Sequence, residues 1–254
     1  MLRQFIVVAG FLIVSFGLKS ELLTELADKS KNLDRYLLQF SNDDLVQYGL
    51  FIKAKNNQSK NDGLIVMAHG FHPDPPNYGK LPSGESKRPG DYYRGWVEAY
   101  SSAGASVFVP DYRGHNSSQG FSFTHQAKKV ALPELYYAED LVAGVLALEK
   151  TLGFEFRNVV LVGHSMGSPI AYWAASQLGP RVKLVSLWSS ANYTLPEEAQ
   201  SVPFVIHHGV GDKVTPITNN QYYIHRNKAL LLNQYIYQTD KHLIEGADFK
   251  LAIE

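Results

Sequence analysis

The chain has 254 residues, 45% of them apolar and 19% charged, enough to bury one sizeable core as a single large domain. Lys plus Arg and Asp plus Glu are each 24, so the formal charge is zero, no basic stripe is present to attract phosphate backbones, and nucleic acid is not an expected partner. There is no cysteine, which removes disulfide frameworks, thiol nucleophiles and thiolate metal sites together, so any nucleophile carries oxygen or nitrogen.

At the N-terminus Arg3 precedes the apolar run Phe5 to Leu18, with Ser15 and Gly17 in a small-x-small pattern. The run is shorter than the roughly 20 apolar residues of a spanning helix, and Lys19, Ser20 and Glu21 end it. Residues 1–20 are expected to be a secretory signal peptide, with an uncleaved anchor or a buried helix as alternatives, and residues 21–254 one folded domain. The mature domain is expected outside the cytoplasm, periplasmic or secreted, without stable membrane insertion unless the N-terminal segment stays as an anchor.

From Leu22 to Phe40, apolar residues at helical spacing (Leu22, Leu26, Leu33, Leu37) predict one or two surface helices. Beyond them come short runs rich in Val, Ile and aromatics: Val46 to Lys53, Leu64 to Ala68, Ser106 to Pro110, Asn158 to Val162, Leu184 to Trp188, Phe204 to His208 and Leu231 to Tyr237. Most are apolar throughout, as strands covered on both faces must be. Helical stretches are expected between them, at Tyr92 to Ala103, Pro133 to Leu152, Met166 to Leu178 and Thr218 to Asn227, with a short one after His242. This alternation predicts an α/β, doubly wound, mostly parallel sheet of about seven or eight strands. His72 to Gly95 is rich in Pro and Gly and cannot be one regular element. Ser189 to Val202 is too short for a lid domain.

Gly163-His164-Ser165-Met166-Gly167 follows a strand and opens a helix. A bare G-x-S-x-G is a weak signal. In the strand-turn-helix setting it is a nucleophile elbow, a sharp turn in which glycines permit close backbone approach and the serine hydroxyl projects above the sheet. A serine hydroxyl needs a base, and the base a carboxylate to fix its tautomer. Downstream histidines are His207, His208, His225 and His242. The first two sit inside a strand and His225 in a helical pattern, whereas His242 follows the last strand in a loop, so His242 is the candidate base. Asp212, just beyond the strand Phe204 to His208, is the candidate acid; Asp240 competes, but lies two residues from His242 on the same loop. Asp212 also suits a plain loop turn before Pro216. Oxyanion donors are expected from the amides of Met166 and of Phe71, in His69-Gly70-Phe71 after an earlier strand.

On these motifs, together with Asp111-Tyr112-Arg113-Gly114-His115-Asn116-Ser117 and Gly211-Asp212 with Val214 and Pro216, the sequence resembles the α/β-hydrolase superfamily, and within it the prolyl oligopeptidase and dienelactone hydrolase branches, over about Gly63 to Leu243. The resemblance implies a Ser165, Asp212, His242 triad, no metal or organic cofactor, and a structural role for the turn Asp111 to Ser117. Asn116 stands where relatives often have glycine, which suits a left-handed residue. Phe71 replaces a Gly-Gly pair after His69 and puts a bulky side chain beside the oxyanion donors. The expected activity is hydrolysis of an ester with a short or medium acyl group, with Tyr92, Tyr93 and Trp96 walling the pocket. A peptidase of prolyl oligopeptidase type acting on short peptides is the alternative; Glu197-Glu198, the one acidic pair for a peptide amine, read better as a helix start after Pro196. Two other classes are a non-catalytic binding protein on the same fold and a metal-dependent hydrolase using His69, His72, Asp74 and His115.

Overall fold

The computed structural model describes residues 22–26, 33–54, 63–72, 74–77, 88–122, 132–191, 202–246 and 249. The predicted signal or anchor at residues 1–20, the pair Glu197-Glu198 and most of the segment after Gly246 lie outside the described residues. Nine strands form one sheet: β1 (Leu22–Leu26), β2 (Leu33–Asn42), β3 (Leu45–Ala54), β4 (Gly63–Ala68), β5 (Ser106–Asp111), β6 (Asn158–His164), β7 (Val182–Trp188), β8 (Phe204–Gly209) and β9 (Leu231–Tyr237). Their order is β1-β2-β3-β5-β4-β6-β7-β8-β9. The pairs from β1 to β5 are antiparallel, and every later pair is parallel.

The seven expected strands all form. The helices expected over Leu22 to Phe40 do not: the described residues of that stretch, 22–26 and 33–40, belong to β1 and β2. Asn42 pairs directly with Leu45 across a two-residue turn, Asp43 and Asp44, both left-handed at φ +48° and +63°. This is the twist that a type I′ hairpin requires. Leu38 and Phe40 are buried by it, and pairing with β3 overrides the helical spacing of the leucines.

The helices are α1 (Pro89–Tyr92), α2 (Arg94–Ser102), α3 (Pro133–Leu152), α4 (Gly167–Leu178) and α5 (Asn220–Asn227). Successive side chains of a strand point to opposite faces, and the central strands are apolar on both. On β5, Phe108 joins one core with Tyr137, Leu141, Val145 and Ile170 of α3 and α4; Val107 and Val109 join a second core with Trp96 and Val97 of α2. Helices thus cover both faces, as a doubly wound sheet requires.

After β4 the chain crosses to β5 on one side and then to β6 on the other. That reversal marks a topological switch point beyond the carboxyl ends of β4 and β6, the place where ligands bind in open α/β sheets. Among the described residues no helix is long and apolar enough to cross a membrane.

Candidate active site

Ser165 sits at that switch point, in the tight step from β6 to α4. Its φ is +54°, a left-handed conformation that costs a non-glycine residue roughly 1–3 kcal/mol and persists only where its surroundings impose it. The Ser165 amide donates to the Trp188 carbonyl at 2.9 Å, and its carbonyl accepts from the amides of Ser168 at 3.0 Å and Ala191 at 3.1 Å. The flanking glycines are dictated by packing. A Cβ on Gly163 would lie 2.6 Å from the Gly167 carbonyl oxygen, and one on Gly167 would collide with the Ala68 carbonyl at the end of β4.

Asp212 and His242 meet. Asp212 Oδ2 accepts a hydrogen bond from Nδ1–H of His242 at 2.8 Å. Its other oxygen, Oδ1, accepts from the amides of Val214 at 2.8 Å and Thr215 at 3.0 Å. The turn chemistry and the imidazole contact read as alternatives from the sequence are therefore shared between two oxygens of one carboxylate. Burial pushes the Asp212 carboxyl up, but the hydrogen bond from His242 and those from the Thr215 and Val214 amides outweigh it, and the group is held below its ordinary value. Asp240 is exposed. His208, wholly buried, stands 3.7 Å from Asp212 Oδ2 and is engaged with Asn220 Oδ1 and the Thr215 carbonyl.

All hydrogen bonds to the His242 ring among the described residues fall on Nδ1. Nε2 is the nitrogen that remains to take a proton. His242 lies next to the elbow, its ring 4.7 Å from that of His164 between centroids and its carbonyl 3.0 Å from His164 Nε2. Among the described residues Ser165 Oγ and His242 Nε2 are not hydrogen-bonded. Such links commonly close only with substrate in place.

The loop after β4 packs on the elbow. A Cβ on Gly70 would lie 3.3 Å from Ser165 Cβ. Phe71, next in the chain, is 48% exposed. Met166 is buried at the N-terminus of α4, where amides and the helix dipole favour negative charge. His69 braces this loop, stacked on Tyr112 at 3.8 Å and bonded through Nδ1 to the Gly70 carbonyl oxygen at 3.0 Å. Asn116 has φ +50°, the left-handed conformation expected of it, and its Nδ2 donates to Asp111 at 3.2 Å.

One expectation is corrected. Tyr93 and Trp96 do not wall an open pocket; each is 1% exposed, and only Tyr92 faces solvent. Helix α2 turns the two rings inward, where Trp96 Nε1 donates to the Ile244 carbonyl at 2.8 Å. His69, His72, Asp74 and His115 do not form a metal site: among the described residues no three such side chains converge. The amide of Asp74 instead donates to His72 Nδ1 at 3.0 Å. Sequence reading missed Thr215, whose Oγ1 lies 3.0 Å from Asp212 Oδ2 and 2.9 Å from the Ser189 carbonyl. The signal was in the motif itself, Asp212 three residues before it.

A family model for the alpha/beta hydrolase fold matches residues 64–214. The chain belongs to this family. Comparison with curated proteins gives no match. Among solved structures this alpha/beta hydrolase is similar to an acylaminoacyl peptidase of Pyrococcus horikoshii, with TM-score 0.61 and 16% identity over 84% of this chain and 38% of that one. It is similar to an esterase of Pyrococcus furiosus, with TM-score 0.60 and 17% identity over 89% and 90% of the two chains. It is also similar to a dienelactone hydrolase of Anabaena variabilis, with TM-score 0.61 and 17% identity over 87% and 94%. At these identities the likeness is one of fold, and the chain spans well under half of the peptidase.

Proposed function

We propose that this alpha/beta hydrolase is a serine esterase cleaving carboxylic esters of short or medium acyl chain. The observation that carries the reading is the Asp212 to His242 hydrogen bond at 2.8 Å beside a serine held at φ +54°. With Nδ1–H given to Asp212, His242 presents Nε2 as base. It takes the Ser165 proton as Oγ attacks the ester carbonyl, and Asp212 stabilises the imidazolium that forms. The Phe71 and Met166 amides receive the developing oxyanion, the alcohol leaves with the proton from His242, and water releases the acyl group by the same steps in reverse. No metal or organic cofactor takes part.

The choice of an ester draws on the likeness in fold to the Pyrococcus furiosus esterase and the Anabaena variabilis dienelactone hydrolase. The half-exposed Phe71, next to the Gly70 that packs on Ser165, suits a small acyl group. The apolar run Phe5 to Leu18 supports export, before cleavage or as an anchor. The test is a series of p-nitrophenyl esters from acetate to palmitate, with N-acylaminoacyl p-nitroanilides alongside. kcat/KM falling with chain length and negligible anilide turnover are expected; preference for the anilides would replace the esterase with a peptidase, and no turnover of either by folded protein would replace it with a binding protein.

A further inference from the structure

Beneath the elbow a buried chain of hydrogen bonds joins two loops that the proposed reaction must keep in register. The Gly70 amide donates to the Tyr93 hydroxyl at 3.0 Å. The Tyr93 hydroxyl lies 2.6 Å from Nδ1 of His164, and His164 Nε2 lies 3.0 Å from the carbonyl oxygen of His242. The proton positions follow from the partners. A carbonyl oxygen only accepts, so His164 Nε2 carries a hydrogen. His164 is neutral, since burial, with the neighbouring His242 acting the same way, lowers it to about 3. Nδ1 is therefore bare, and the Tyr93 hydroxyl donates to it.

We propose that Tyr93 and His164 are positioning residues for acyl transfer, a two-side-chain relay that ties the oxyanion loop after β4 to the backbone of the general base. The proposal rests on the serine-hydrolase reading above. Tyr93 occupies the junction of α1 and α2, and His164 is the residue before the nucleophile; neither is exposed enough to meet substrate, at 1% and 5%. The relay spans 172 residues of chain in three bonds, from Gly70 to His242. It also takes up the amide of Gly70, the residue before the proposed oxyanion donor Phe71. The rings enclosing it, Trp96 and Trp188, exclude water: Trp96 packs edge-on to His164 at 5.8 Å and against Trp188 at 4.7 Å. In that dry setting each bond is hard to replace, and loss of one lets the two loops drift apart by the fraction of an ångström that costs rate.

The relay is tested by Tyr93→Phe, by His164→Gln, whose amide keeps a donor near Nε2 but no acceptor at Nδ1, and by the double variant, with kcat and KM for p-nitrophenyl acetate and Tm measured on each. Expected are kcat losses of about 10- to 100-fold in each single variant with KM within about twofold, and a double variant no slower than the worse single one. A folded Tyr93→Phe with wild-type kcat, or strictly multiplied losses in the double variant, overturns the proposal. Should Tyr93→Phe not fold, ¹⁵N shifts of the wild-type histidines decide: a neutral His164 with its proton on Nε2 is expected at pH 7, and a proton on Nδ1 overturns the relay. If wild-type protein turns over no ester, the esterase reading has failed, while the ¹⁵N measurement still reads the relay.

Discussion

Asp212 Oδ2 and His242 Nδ1 stand 2.8 Å apart although 30 residues, a helix and a strand separate them in the chain. The contact fixes which nitrogen of His242 is protonated, and so which one faces the serine. Asp212→Asn keeps the size of the side chain and the turn, but presents an amide where the imidazole needs an acceptor. It is expected to lower kcat by about 10³- to 10⁴-fold with little change in KM or Tm. A variant within tenfold of wild type would remove Asp212 from the mechanism.

The left-handed Ser165 predicts a conflict between stability and function. Ser165→Ala keeps a Cβ at φ +54°, whereas Ser165→Gly relieves it. Both are expected to be inactive. Between them, the glycine variant is expected to be the more stable, by up to about 1 kcal/mol, a rise in Tm of some 2–4 °C in calorimetry. An alanine variant that melts higher would mean that the elbow is not strained.

What the sequence made legible followed local rules. The strands from β3 to β8 announced themselves as apolar runs because they are largely buried; β9, half exposed at the edge of the sheet, was read to its ends from its aliphatic and aromatic residues. Ser165, Asp212 and His242 were legible because each follows a strand at the carboxyl edge, where a doubly wound sheet builds its sites. Strands β1 and β2 were not: Leu22, Leu26, Leu33 and Leu37 fall at helical spacing by accident, and only the turn Asn42-Asp43-Asp44 hinted at a hairpin. Tyr93 and Trp96 read as pocket walls, because a sequence shows that a loop is aromatic without showing which way a following helix turns the rings. The part played by His164 was hidden for the same reason, since its partners lie 71 and 78 residues away.

Acid sensitivity follows from the buried histidines. Burial lowers His164 and His207 to about 3 and His115 to about 4, and lowers His69 well below its ordinary value. Below pH 6.5 the unfolded chain binds protons that these four refuse, so stability is full above pH 6.5 and is lost as pH falls toward 4, each group contributing at most about 1.4 kcal/mol per pH unit. Asp111 opposes them: burial raises it to about 7, and it favours the fold as pH falls from 7 toward 4. Glu134 and Glu139, raised by burial, act in the same direction as Asp111. The four histidines against these carboxyls predict that Tm drops by at least about 5 °C between pH 7 and pH 5. A flat profile over that range would contradict the buried, neutral histidines.

Stability away from the site rests on Asp140, wholly buried in α3. It accepts from Arg113 N at 2.8 Å, Nε at 3.0 Å and Nη2 at 2.7 Å, from Gln47 Nε2 at 2.7 Å and from Asn42 Nδ2 at 2.9 Å. It thereby joins β2, β3 and the turn after β5 to the helix. Asp140→Ala leaves the buried Arg113 guanidinium and Gln47 amide without this acceptor, and is expected to cost about 3–5 kcal/mol in urea unfolding. Turnover per folded molecule should not change. A loss under about 1 kcal/mol would show that the network is dispensable.

The central claim is that Ser165 is an activated nucleophile, and a fluorophosphonate probe reads it directly through a covalent bond to the serine oxygen. Wild-type protein is expected to label stoichiometrically at Ser165, His242→Ala far more slowly, and Ser165→Ala not at all. Folded wild-type protein that resists the probe, or a Ser165→Ala variant that labels as fast, would contradict the account.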